Sequence, residues 1–198
     1  MNVETPHGPA RVQIEPVDAP VAALVLGHGA GGGVGTKDLE AATRAARSVD
    51  VTVALVEQPY RVAGRKSPAP APQLDAAWLA VVEHLRGELG DLPLIAGGRS
   101  AGARVACRTA AETGAVGVLC LAFPLHAPGK PEKTRLPELE AVEVPVLIVQ
   151  GDSDPFGMPP PAEGREVVTV RGNHSLRSEL GTLREAVARW LTAVARPG

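Results

Sequence analysis

Five near-continuous apolar runs constrain the fold of this chain more than any other feature. They cover residues 21–26, 51–56, 92–96, 116–123 and 144–149. A strand with one wet face alternates apolar and polar residues, whereas a continuous run marks a strand covered on both faces. A shorter strand is expected over residues 11–15 and a last one over residues 166–170. Leu74, Trp78, Val81, Val82, Leu85 and Leu89 recur at helical spacing, as do Leu176, Leu180, Leu183, Val187, Leu191 and Val194. Residues 38–47 and 103–111 are alanine-rich and read as two more helices, the second running to about Glu112. Residues 57–72 read as a long loop, and residues 124–137 as an irregular one. Strands that alternate with helices or loops predict an α/β fold: a mostly parallel sheet between two helical layers, one domain over residues 1–198. In such sheets ligands bind outside the carboxyl ends of the strands.

Composition narrows the partners. The chain has 198 residues, enough for one proper core, and a net charge of −2, which gives no reason to expect nucleic acid or an anionic membrane. Its two cysteines, Cys107 and Cys120, fall in a helix and a strand and lack metal-ligand spacing. No metal and no cofactor is expected. Neither a basic-then-apolar leader nor an apolar run long enough to span a bilayer is visible, so a soluble cytoplasmic protein is expected. His7 falls in a loose N-terminus on this reading, and His84 on a polar helix face.

One apolar run, 92–96, ends in Gly97-Gly98-Arg99-Ser100-Ala101-Gly102, and a helix follows. Strand, Gly-x-Ser-x-Gly, helix is the pattern of a nucleophile elbow, in which a strained turn lifts the serine hydroxyl above the sheet. Side chains in place of Gly98 and Gly102 would strike the neighbouring strand and helix. A serine hydroxyl needs a base, the base an orienting acid, and the developing oxyanion donors. His28, His126 and His174 all follow strands. His174 stands after both the serine and an acid and is the candidate base. Asp154 and Asp152 both follow the 144–149 strand; Asp154 is the candidate acid, with Asp152 the alternative or a turn former. The amide of Ala101, at a helix N-terminus, is one candidate oxyanion donor. The amide of Ala30, with Gly31 second, is the other, in the glycine-rich loop His28-Gly29-Ala30-Gly31-Gly32. His28 is expected to shape that loop through backbone hydrogen bonds.

The order Ser100, Asp154, His174 is that of α/β hydrolases, and the chain resembles that superfamily over nearly its whole length. Four stretches look like the testis-expressed-protein-30-like family, related to dienelactone-hydrolase-type proteins: 26–32, 98–102, 150–157 and 124–133, whose run Pro124-Leu125-His126-Ala127-Pro128-Gly129-Lys130-Pro131 is the most specific. The resemblance implies a serine-hydrolase site at Ser100, Asp154 and His174, without naming a substrate. The typical dienelactone hydrolase has a cysteine where this chain has Ser100, so that activity is not implied. The expected reaction is hydrolysis of a small-molecule ester or thioester by a monomer or homodimer. Residues 124–144 are too short for a full cap domain, which predicts an open site. Gly29, Gly31, Tyr60, Arg99 and His126 are candidate substrate-binding residues; His126 is equally readable as a residue that bonds loop backbone, and Arg99 as one that pairs with a nearby carboxylate. Lys130, Lys133 and Arg135 read as a solvated loop face.

Two rival readings stand. Gly27, Gly29 and Gly32 fit G-x-G-x-x-G, with Glu57 about where a dinucleotide fold places its ribose-binding acid. That reading leaves Ser100, Asp154 and His174 unexplained. The other rival is a non-enzymatic interaction domain on a hydrolase fold, because fold does not fix function.

Overall fold

The computed structural model describes residues 1–195, so the last three residues of the expected domain lie outside the described residues. Its strands are β1 (Asn2–Val3), β2 (Ala10–Glu15), β3 (Ala22–Gly27), β4 (Val51–Glu57), β5 (Leu94–Arg99), β6 (Gly117–Leu121), β7 (Val146–Gly151) and β8 (Arg165–Val170). They form one sheet in the order β1-β2-β4-β3-β5-β6-β7-β8. β1 and β2 pair antiparallel, as do β2 and β4; from β4 to β8 every pairing is parallel.

The apolar runs are strands because both of their faces are covered. β3 and β7 are buried along their whole length. Alternate residues point to opposite faces. Leu24 and Leu26 of β3 and Leu147 and Val149 of β7 join a core with α1 (Lys37–Arg47) and α7 (Leu180–Val194). Val25, Val118, Cys120 and Ile148 join the opposite core, under α3 (Ala71–Leu89) and α4 (Ala101–Arg108). Four buried alanines of α1, Ala41, Ala42, Ala45 and Ala46, let that helix lie close to the sheet where aromatics are scarce. On the other face the fully buried Trp78 of α3 fills the space against the sheet.

Four local expectations change. The N-terminus is tied down: β1 pairs with β2, and the Met1 amino group donates to the Val12 carbonyl at 2.8 Å. The 57–72 segment is not wholly a loop, since α2 (Pro59–Val62) occupies its start and α3 begins at Ala71. The helix after Ser100 breaks at Thr109 into α4 and α5 (Ala110–Thr113), with the Thr109 hydroxyl bonded back to the Val105 carbonyl at 2.8 Å. Leu176 precedes α7 rather than lying in it, yet is fully buried at a positive φ of 46°, where it anchors the loop that carries His174.

The chain runs from β3 outward to β4, then back across to β5. The sheet therefore changes winding direction between β3 and β5, and the loops after these two strands diverge around a crevice. Between β6 and β7 only the one short helix α6 (Leu136–Glu140) is present, so the crevice has no helical lid. No helix among the described residues is long and apolar enough to cross a membrane. Cys107 and Cys120 are free thiols packed 3.5 Å apart in the core, where their mutual hydrogen bond and burial push the Cys120 thiol well up.

Candidate active site

Ser100 follows β5 directly and holds φ 52°, ψ −107°, a strained conformation for a side chain. The strain persists because the surroundings fix both sides. The Ser100 amide donates to the Leu121 carbonyl of β6 at 2.9 Å, and α4 starts at the next residue. The turn closes only on glycines. A Cβ on Gly98 would lie 2.6 Å from the Gly27 carbonyl oxygen, and one on Gly102 would lie 2.5 Å from the same oxygen.

The loop between β8 and α7 brings His174 over this turn. Its Nε2 lies 2.8 Å from Ser100 Oγ, and its Nδ1 lies 2.8 Å from Asp154 Oδ2. An acceptor-only carboxylate at Nδ1 places the proton there and leaves the Nε2 lone pair for the serine hydroxyl proton. Asp154 is 1% exposed at its side chain. Its carboxylate also accepts from Gln150 Nε2 and from the Phe156 amide, each at 2.9 Å. The Phe156 ring lies on the His174 ring, with centroids 4.2 Å apart. Asp152 points elsewhere and accepts the Gly172 amide at 3.0 Å, as a turn former does.

The loop after β3 is fixed from behind by His28. The Gln58 amide donates to its Nε2 at 3.0 Å, so the ring proton is on Nδ1 and goes to the Gly29 carbonyl at 2.8 Å. Burial, partly offset by that bond and by Glu57, holds the His28 pKa below its ordinary 6.5. In a trans peptide the C=O and N–H point in opposite directions. With the Gly29 oxygen held by His28, the Ala30 N–H is turned away from His28. Ala30 and Ala101 both line the cavity at Ser100. Among the described residues neither amide has a hydrogen-bond partner.

Three expected substrate contacts are placed elsewhere. Tyr60 is 3% exposed and does not line this cavity; its hydroxyl donates to the Ala30 carbonyl at 3.0 Å and so braces the loop. Arg99 turns away from the crevice, with Nε 2.8 Å from the buried Asp38 carboxylate and Nη2 donating to the His174 carbonyl at 2.9 Å. His126 bonds loop backbone, its Nδ1 2.9 Å from the Ala127 carbonyl, and packs against Gly157 in the Asp154 loop. Gly29 is buried beneath Ser100 and Arg99, and Gly31 is exposed with open space around it.

The cavity at Ser100 measures about 260 Å³. Leu74, Pro124 and Phe156 give it apolar walls, and Arg104, Arg108 and Arg135 a basic one. Arg135, read from sequence as a solvated loop residue, instead folds inward and donates to the Pro124 carbonyl at 2.8 Å. Sequence reasoning also passed over Arg104 and Arg108, although positions four and eight after Ser100 on a helix share its face. It passed over Gln150 as well, a polar residue ending a buried strand. A larger cavity of about 440 Å³ lies at the amino-terminal ends of β7 and β8, the far edge of the sheet from Ser100.

No group of three or more His, Cys, Asp or Glu side chains among the described residues is placed to hold a metal. The glycine-rich loop does not open a helix, since α1 begins only at Lys37, and Glu57 is engaged by Arg11 at 3.0 Å. Both details weigh against the dinucleotide reading.

A sheet of this order, with a strained serine after its fifth strand and a histidine after its last, defines the α/β-hydrolase class. The family described as alpha/beta hydrolase domain matches residues 20–180, and the chain belongs to it. Solved structures agree on the fold at low identity. A serine hydrolase without lid from Xanthomonas campestris is similar with a TM-score of 0.79 and 21% identity, over 98% of this chain and 93% of that one. Est1E from Butyrivibrio proteoclasticus, solved with ferulic acid, gives 0.78 and 17% over 98% of each chain. A dienelactone hydrolase from Anabaena variabilis gives 0.78 and 14%, over 99% and 97%.

Proposed function

We propose that this protein is a serine hydrolase that cleaves an ester or thioester bond of a small molecule through Ser100, His174 and Asp154. The observation that carries the reading is the unbroken chain Ser100 Oγ, His174 Nε2, His174 Nδ1, Asp154 Oδ2, with 2.8 Å at each of its two hydrogen bonds. His174 takes the Ser100 proton as Oγ attacks the carbonyl carbon. The amides of Ala30 and Ala101, two residues that line the cavity, receive the oxyanion. The tetrahedral intermediate collapses, the proton on His174 passes to the departing alcohol or thiol, and an acyl ester remains on Ser100. His174 then deprotonates a water, which releases the acid and restores the serine. Asp154 keeps the imidazole in the tautomer this needs.

The test is labelling by a fluorophosphonate probe. The native protein is expected to label and Ser100→Ala to stay unlabelled, with turnover of 4-nitrophenyl esters lost alongside. Equal labelling of the two would refute the assignment.

A further inference from the structure

The basic wall of the Ser100 cavity is not electrically balanced. Arg104 is held by Glu138 through two hydrogen bonds of 2.8 and 2.5 Å. Arg108 is held by Asp75 through two more, of 2.8 and 2.6 Å, with Glu138 3.4 Å away. Two carboxylates therefore face three guanidinium groups. The third, Arg135, makes no ion pair among the described residues and meets only the Pro124 carbonyl. Burial and the neighbouring Arg104 push its pKa down, and Glu138 offsets this in part. A partly desolvated cation without a carboxylate is costly to keep. Guanidinium geometry suits one ligand above others, a carboxylate bound in parallel.

We propose that this cavity selects acyl groups that end in a carboxylate, and that Arg135 receives it: the substrates are half-esters or half-thioesters of short dicarboxylic acids. Leu74, Pro124 and Phe156 suit the methylene chain between the reacting carbonyl and the far carboxylate. One surplus positive charge matches a monoanion; a phosphate dianion would leave a negative charge uncompensated. This rests on Ser100 being the nucleophile.

The experiment compares kcat/KM for mono-4-nitrophenyl adipate and for 4-nitrophenyl hexanoate, a neutral ester of the same chain length. The native enzyme is expected to favour the adipate. Arg135→Gln should lower the adipate-to-hexanoate ratio by at least about tenfold, the worth of one charge-assisted hydrogen bond. The ratio cancels any loss of folded enzyme. Lys130→Gln, which removes an equal charge from an exposed position in the same loop, should leave the ratio as it was. No native preference for adipate, a ratio unmoved by Arg135→Gln, or one moved equally by Lys130→Gln would overturn the proposal. Calorimetric titration of monomethyl adipate, a monoanion that Ser100→Ala protein cannot turn over, into that variant with and without Arg135→Gln is independent of turnover. Arg135-dependent binding without hydrolysis of either ester would sink the hydrolase reading, and the half-ester substrates with it, and keep only the recognition of a carboxylate by Arg135. Equal hydrolysis of both esters would do the reverse.

Discussion

Arg99 Nη2 donates a 2.9 Å hydrogen bond to the main-chain carbonyl of His174, so the residue before the candidate nucleophile holds the candidate base in place. The same guanidinium neutralises Asp38, whose side chain is 1% exposed. Arg99→Ala is expected to strand that charge and cost about 3–5 kcal/mol of stability, read as a shift in the urea midpoint. The double variant Arg99→Leu/Asp38→Leu, which removes both charges, should recover most of the loss. In it kcat should remain depressed while KM changes little, because the His174 carbonyl still lacks its donor.

Asp154 and Asp152 are two residues apart and have different partners. Asp154→Ala is expected to lower kcat by about 10⁴ through the loss of the imidazole tautomer. Asp152→Ala should keep kcat within about threefold, since only a turn hydrogen bond of modest net worth is lost. Ester hydrolysis rates of the two variants check this, and the reverse ranking would reassign the acid.

Gln150 is fully buried, and its amide nitrogen meets Asp154 Oδ2, the Phe123 carbonyl and the Gly157 carbonyl at 2.9, 3.1 and 2.9 Å. It acts on the site through Asp154. Gln150→Leu should lower kcat by about 10–100-fold, the worth of a hydrogen bond to a charged group, with KM little changed. Gln150→Glu, isosteric but anionic beside Asp154, should be worse still; equal kcat for the native and both variants would dismiss the role.

Gly102 lies against the Gly27 carbonyl, so Gly102→Ala must push backbone apart. A cost of about 3 kcal/mol is expected, the upper end for overpacking. Fluorophosphonate labelling should slow as well, because the displaced carbonyl leads into the loop that carries Ala30. Gly31→Ala, in open space, should be silent in both measurements.

His28 sets a pH dependence. Its folded pKa lies below 6.5, so as pH falls through 6.5 the unfolded chain takes up a proton that the folded chain refuses. The stability it contributes is complete above that pH and declines below it until the folded pKa is reached. Urea midpoints measured from pH 8 down to 5 should fall more steeply for the native protein than for His28→Gln. Parallel curves would show that His28 is not a buried neutral ring.

The parts of the site that were legible in sequence are those written in local pattern. Gly98, Ser100 and Gly102 announce a turn because a Cβ at either glycine meets backbone. Asp154 and His174 were legible because each follows a strand in the right chain order. Long side chains were harder to read. Tyr60, Arg99 and His126 stand beside the crevice in sequence, yet their hydrogen bonds are made behind it, to Ala30, to Asp38 and His174, and to Ala127. Arg135 went the other way, from an apparent solvent face into the cavity wall.

By itself, the sequence determined the seven longer strands, the burial of the five apolar ones on both faces and the strained serine turn, since periodicity and glycine sterics act over a few neighbouring residues. Only the tertiary structure decided which arginines face the substrate cavity and which carboxylate each one meets. Arg108 reaches Asp75 across 33 residues, Arg104 reaches Glu138 across 34, and Arg99 reaches the His174 carbonyl across 75. A guanidinium on a flexible stem can turn to either side of its own backbone. Its partner is therefore set by the packing of distant elements, and no local pattern records it.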